Sequence, residues 1–190
     1  MRLREFFFKY RSYTPLPFII AALILAEPTL ITLISGFIVV ATGEITRLWS
    51  VRYAGSATRT TGKVGADELV TTGPYSHVRN PLYLGNILIA IGFVFMAFPW
   101  MPWMLILLCI FLAIQYGAII SLEEDFLLQK FSSIYSDYKN SVPRLIPRLK
   151  SWQSGSRKPT ELKKAMRTER RTLQSLALIS FAIVIRWFFN

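Results

Sequence analysis

Residues 81–121 read PLYLGNILIAIGFVFMAFPWMPWMLILLCIFLAIQYGAIIS, and this stretch decides the fold. Two apolar runs, 81–98 and 103–121, flank the turn Pro99-Trp100-Met101-Pro102, and neither holds an Asp, Glu, Lys or Arg. At about 1.5 Å per helical residue, each is long enough to cross a hydrocarbon core of roughly 30 Å. Two such runs joined by a proline-rich turn predict a helical hairpin that crosses a membrane and returns.

Working outward, residues 16–26 are apolar until Glu27-Pro28, residues 29–53 are apolar until Glu44 and Arg47, and residues 173–189 form a last apolar run. The first run is short for a crossing, so it either recruits residues 6–13 or tilts against its neighbour. The predicted fold is all-α, a polytopic membrane protein of about five transmembrane helices. A 53% hydrophobic composition and a mean hydropathy of +0.40 are more apolar than a soluble domain of 190 residues carries. The length suits one domain. It divides into two spans and a loop over 1–66, a polar-rich core over 67–147, a basic segment over 148–171 and a final span over 172–190. The charged start Met1-Arg2-Leu3-Arg4-Glu5 is followed by no small-residue cleavage site, so no cleaved signal peptide is expected. The single cysteine, Cys109, excludes an intrachain disulfide and reads as a packed thiol.

The formal net charge of +11 suggests nucleic acid at first sight. Its distribution points elsewhere. Segments 1–15, 47–79 and 119–171 hold 21 of the 22 Lys and Arg residues, leaving only Arg186, and the turns at 27–28 and 99–102 hold none. With five spans, all three basic segments fall on one face, which the positive-inside rule makes cytoplasmic. Anionic lipid headgroups are the expected partner of the tract 157–171, RKPTELKKAMRTERR. No groove- or base-reading element is present, so no nucleic acid is expected.

Two polar clusters fall on that same face. The first, 67–85, reads DELVTTGPYSHVRNPLYLG. Thr72-Gly73-Pro74-Tyr75 is a turn signal. Asn80 and Pro81 make an N-cap and N1 pair, so a helix should start there with its free N–H groups suited to an anion or carboxylate. Arg79 stands beside it, and Gly85 lets a neighbouring backbone or a ligand approach closely. The alternative is a well-capped membrane helix with a snorkelling arginine. The second cluster, 121–147, reads SLEEDFLLQKFSSIYSDYKNSVPRLIP. Its adjacent Glu123 and Glu124, at the end of a span, oppose the helix dipole and require a cation, either a basic side chain or a cationic ligand. Glu44 and Arg47 are three apart on one span and either pair with each other or line the same cavity. The only histidine is His77, and no His, Cys and carboxylate set has metal-ligand spacing, so no metal is expected. Nucleotide-binding glycine loops are absent.

Taken together, GPYSHVRNPLYLGN followed about forty residues later by EEDFLLQKFSSIYSDYKNSVPRLIP resembles the isoprenylcysteine carboxyl methyltransferase and phospholipid methyltransferase superfamily. The match covers residues 67–147. The resemblance implies a membrane enzyme that uses S-adenosyl-L-methionine, bound by cytoplasmic segments. It implies cofactor contacts from Asp67, Glu68, Leu69 and Val70, from Tyr75, from Asn80, Pro81, Leu82 and Tyr83, and from Glu123, with Glu123, Glu124 and Arg79 nearest the chemistry. The carboxylate of Glu123 suits a cationic centre, and Tyr75 or Tyr83 suits the adenine or the sulfonium. The implied acceptor is a lipophilic molecule, a lipid or a prenylated species, with a carboxyl, amine or thiol nucleophile. Two positions depart from the prenylcysteine enzymes: Asn80 stands in place of His, and Ile119 in place of the arginine that reads the substrate carboxylate. A different arginine, such as Arg47, Arg52 or Arg144, could substitute from another element. Competing expectations are a reductase-like or NnrU-like protein of the same fold, or a lipid-binding scaffold.

Overall fold

The computed structural model describes residues 3–55, 68–152 and 158–189. Asp67 lies outside the described residues, as do the basic residues Arg2, Arg59, Lys63 and Arg157. The described residues form six α-helices and a short 3₁₀ turn, with no strand among them. The helices are α1 (Leu3–Tyr10), α2 (Leu16–Ile24), α3 (Leu30–Ala54), α4 (Pro81–Ala97), α5 (Trp103–Ser141) and α6 (Leu162–Phe188). Of these, α3, α5 and α6 are long and apolar enough to cross a membrane, and α4 is a shorter apolar helix of 17 residues. Their outward faces carry large apolar side chains such as Ile31, Phe37, Leu107, Ile110, Leu178 and Phe181. An apolar exterior of this extent is stable only against lipid. The protein is an integral membrane protein.

α3 opens with a reciprocal cap. The Thr29 hydroxyl accepts from the Thr32 N–H at 3.2 Å, and the Thr32 hydroxyl accepts from the Thr29 N–H at 2.8 Å. It pairs along its length with α4 through glycines. A Cβ on Gly43 would lie 2.7 Å from the Gly85 carbonyl oxygen, and one on Gly92 would lie 2.9 Å from that of Gly36. Only hydrogen fits between the two backbones, as at other small-residue helix contacts in membranes. Gly85 therefore serves the approach of a neighbouring helix rather than of a ligand.

The helix bounds refine the sequence reading, and several expectations need correction. α2 is only nine residues long, about 13 Å, and does not cross alone. A break at residues 11–15 separates it from α1; α1 packs against α5, whereas α2 packs against α4 and α6. α5 does not end near Glu123. Its 39 residues, about 58 Å, run roughly twice the hydrocarbon thickness, with non-helical dihedrals at Ser132. Both glutamates are thus mid-helix, and the dipole argument for a compensating cation does not hold. Finally, α6 begins at Leu162 inside the basic tract, with Ala165 and Glu169 buried one helical turn apart. Cys109 is exposed on the outward face of α5 rather than packed.

Candidate functional site

The start of α4 and the middle of α5 meet at the end of the bundle where α3 also finishes. The Tyr83 hydroxyl donates to Glu123 Oε1 at 2.6 Å, joining the two polar clusters directly. The Tyr83 ring lies 5.0 Å from that of Tyr116, centroid to centroid, at a tilt of 37°. Such an aromatic pair is worth about 0.5–1.5 kcal/mol beyond burial and leaves π faces that suit a flat or cationic group. Phe8, Tyr116, Ile119 and Ile120 form a buried cluster, and Tyr83 packs against it.

One residue further along, Glu124 has different surroundings. It is 3% exposed and accepts from Arg79 Nη2 at 2.8 Å and from Arg144 Nη2 at 2.6 Å, with Lys139 Nζ at 3.7 Å. The Glu124 carboxylate raises the affinity of the Arg144 guanidinium for its proton. Arg79 also donates to the carbonyls of Lys139, at 2.7 Å, and Val142. These bonds fasten the end of α5 and the segment after it to the start of α4. The compensating cations of Glu124 are thus basic side chains, and Arg79 faces Glu124 rather than Glu123.

The expected cap at Asn80 takes a different form. Asn80 makes no side-chain cap bond, and its amide donates instead to the Arg144 carbonyl at 3.1 Å. The Arg79 N–H donates to the Pro143 carbonyl at 2.9 Å, so residues 143–144 cross in front of the start of α4. Pro81 occupies the first helical position and is buried; Leu82 and Tyr83 are half-buried in the same turn. The turn signal at 72–75 folds as a 3₁₀ helix, Gly73–Ser76. Its Tyr75 carbonyl accepts from the Tyr138 hydroxyl at 2.6 Å, and His77 Nδ1 lies 2.9 Å from the Arg148 carbonyl oxygen. Leu69 packs against the buried layer of Tyr135, Tyr138 and Val142, Val70 is half-buried, and Glu68 is exposed. Tyr83, Asn80, Arg79, Glu123 and Glu124 are therefore gathered at one place. Leu69 and Tyr75 border it through the tyrosine layer.

Glu44 and Arg47 pair as the spacing predicts, at 3.6 Å, but Arg47 is shared. It binds Glu169 of α6 at 2.5 Å and the Asn86 side chain of α4. Arg52 donates to the Thr160 carbonyl at 3.0 Å. The basic tract is thus not wholly a solvated face: Glu169, 2% exposed, ties it to the bundle. Sequence reading missed Tyr116 and Asn86, neither of which lies in either polar cluster. The signal available for Tyr116 and Asn86 is a polar group inside an apolar span.

Among the described residues, no group of three or more His, Cys, Asp or Glu has the arrangement to hold a metal ion. A cationic organic group does fit the residues present. Glu123 supplies a mid-helix carboxylate, held by the Tyr83 hydroxyl, beside two aromatic rings.

The chain is 32% identical over 121 residues to the nickel-cobalt-cadmium resistance protein NccN of Alcaligenes xylosoxydans xylosoxydans, covering 64% of this chain and 52% of that one. It is 32% identical over 130 residues to the cobalt-zinc-cadmium resistance protein CzcN of Cupriavidus metallidurans, covering 68% and 55%. The chain spans about half the length of these curated relatives. No solved structure matches it. The family model for phospholipid methyltransferase matches residues 31–134, from the start of α3 through Tyr83, Glu123 and Glu124. By that match over more than half its length, the chain belongs to the phospholipid methyltransferase family of integral membrane methyltransferases.

Proposed function

We propose that the protein transfers a methyl group from S-adenosyl-L-methionine to a lipophilic acceptor at the cytoplasmic face of the membrane. The observation that carries this reading is the Tyr83–Glu123 hydrogen bond, because it sets a carboxylate and an aromatic pair where the two family segments converge. When bound, S-adenosyl-L-methionine supplies an electrophilic methyl group on a sulfonium, for in-line displacement by the acceptor. Glu123 would hold the ammonium group of the cofactor, which S-adenosylhomocysteine also carries, with the carboxylate oxygen oriented by the Tyr83 hydroxyl. Tyr83 and Tyr116 provide the face on which a flat or cationic part rests. Leu69, Val70 and Tyr75 border the cofactor from the loop side, with Asn80, Pro81 and Leu82 framing the start of α4. Arg79 and Glu124 act as positioning residues: their ion pair holds α4 against α5. The low-dielectric surroundings strengthen these interactions and keep water from the reacting groups. The acceptor reaches the site sideways from the bilayer, while the polar cofactor comes from the aqueous side.

The positive-inside rule supports the cytoplasmic side for this site, since the basic segments of the sequence flank the residues that form it. The same basic residues favour contact with anionic lipid. The metal resistance in the names of NccN and CzcN describes those proteins. This reading needs no metal ion.

Thermal unfolding of the detergent-solubilised protein with S-adenosyl-L-methionine, with NADPH, or with neither tests the proposal. Stabilisation by S-adenosyl-L-methionine alone is expected, since a ligand of the native state raises apparent stability by mass action. Stabilisation by NADPH alone indicates a reductase, and by neither a scaffold. Labelled cofactor incubated with a host lipid extract then identifies the acceptor.

A further inference from the structure

At the end of the bundle opposite Tyr83 and Glu123, α3 and α5 begin and α4 and α6 finish. The 17 residues of α4, about 25 Å, separate the two ends. A groove of about 1110 Å³ lies at this far end, with Glu27, Phe98, Trp100, Met101, Arg186 and Trp187 in its lining. Its volume is slightly above the usual range of small-molecule sites, about 300–1,000 Å³. The two turns that form it are tied together. The Glu27 N–H donates to the Ala97 carbonyl at 2.9 Å, and Ala26 and Ala97 are buried around that bond.

Charge is scarce here. Glu27 and Arg186 are the only charged side chains in residues 20–32, 94–106 and 180–190, and both line the groove. Both are exposed, and neither forms an ion pair among the described residues. Two unpaired charges of opposite sign in one groove complement a ligand that carries both signs. The aromatic lining adds to this. Phe98 and Trp100 have φ of 48° and 41°, in the left-handed region that residues with a Cβ seldom adopt. Backbone held there recurs at ligand clamps. Trp103, Phe188 and Phe189 are exposed at the neighbouring helix ends, and Ile24 and Leu25 are exposed along the groove. Tryptophans at the ends of crossing helices mark the level of the lipid headgroups. A guanidinium fork matches two phosphate oxygens, and an indole face attracts an ammonium.

We infer that this groove binds the headgroup of a zwitterionic phospholipid, in the leaflet away from Tyr83 and Glu123. Arg186 takes the phosphate, and Glu27 takes the ammonium beside the Trp100 and Trp187 rings. The inference does not rest on the methyltransferase reading. The lipid held here is a resident of the fold and not the methyl acceptor, because the length of α4 separates it from the candidate cofactor site.

The test uses the full-length protein in dodecyl maltoside. The probes are dihexanoyl phosphatidylcholine, which is zwitterionic, dihexanoyl phosphatidylglycerol, which is anionic, uncharged dihexanoyl glycerol, and free phosphocholine. Affinities are read from the rise in unfolding temperature with probe concentration. The phosphatidylcholine should bind about fivefold to tenfold more tightly than the other three, the scale of a partly exposed ion pair with a cation–π contact. Glu27→Gln should erase its advantage over the phosphatidylglycerol, and Arg186→Gln its advantage over the diacylglycerol. Glu27→Lys should reverse the preference towards the anionic lipid. Because Glu27 and Arg186 are exposed and unpaired, all three variants should unfold at the wild-type temperature without probe. Glu123→Gln, at the other end of the bundle, should keep the wild-type preference. Equal affinities, a wild-type preference for phosphatidylglycerol, or free phosphocholine binding as tightly as the lipid overturns the inference. So does a phosphatidylcholine preference that survives in Glu27→Gln or Arg186→Gln. A preference lost in Glu123→Gln assigns the lipid to the candidate cofactor site and overturns it as well.

Discussion

The Tyr83 hydroxyl, on the first turn of α4, donates to the Glu123 carboxylate on α5 at 2.6 Å. The two residues are 40 positions apart, separated by a complete helical hairpin. Tyr83→Phe removes the donor but keeps the ring. Its expected effect is a weakening of S-adenosylhomocysteine binding by about tenfold, the worth of a hydrogen bond to a charged group. Tyr83→Ala, which also removes the aromatic face, should abolish detectable binding in calorimetry. Equal affinities for wild type and Tyr83→Phe would show that the hydroxyl does not orient the carboxylate.

Glu124 and Arg79 form a buried pair, with side-chain exposures of 4% and 9%. Removing Glu124 leaves the buried Arg79 without this counter-ion, at a cost of about 3–5 kcal/mol for a buried pair. Removing Arg79 takes one of three cations from Glu124, and the bonds that tie the start of α4 to Lys139 and Val142. Glu124→Gln and Arg79→Met should each lower the unfolding temperature in lipid nanodiscs by more than Glu123→Gln does. Activity lost in these variants should track the folded fraction.

Between α3 and α4, Gly43→Ala sets a methyl group 2.7 Å from the Gly85 carbonyl oxygen, where backbone and not a flexible side chain must move. Overpacking of this kind costs about 1–3 kcal/mol. Gly117, whose added Cβ would meet nothing within 4 Å, is the control. Gly117→Ala should leave the unfolding temperature unchanged or slightly raised, as Ala is the better helix former.

Glu169 holds α6 to α3 through Arg47 at 2.5 Å. Glu169→Ala should loosen the cytoplasmic half of α6 while leaving its membrane half in place. Hydrogen exchange of residues 162–171 is the readout. Faster exchange there, with residues 176–188 unaffected, is the expected result.

Much of this arrangement was legible in the sequence, for physical reasons that can be named. The hairpin 81–121 was readable because uncharged apolar length and a proline turn together leave no soluble alternative. That the start of α4 and Glu123 lie at the same end of the bundle follows from the two apolar runs between them, which carry the chain out and back. The packing of residues 4–14 on α5 is harder to read: Phe6, Phe7 and Phe8 sit among charged residues, and hydropathy gives no register between Thr14 and Gln115. The cap at Asn80 was misread because the Arg144 carbonyl, 64 residues away in sequence, takes its amide. Glu169 reads as one more charge in a basic tract. Its burial depends on Arg47 in another helix.

Calorimetric titration of S-adenosylhomocysteine into wild type, Glu123→Gln and Glu124→Gln, each in nanodiscs, tests the central claim most directly. The wild type should bind, Glu123→Gln should remain folded and not bind, and whatever Glu124→Gln protein stays folded should still bind. A folded Glu123→Gln variant with wild-type affinity, or a wild-type protein with no affinity, would contradict a cofactor site between the start of α4 and the middle of α5.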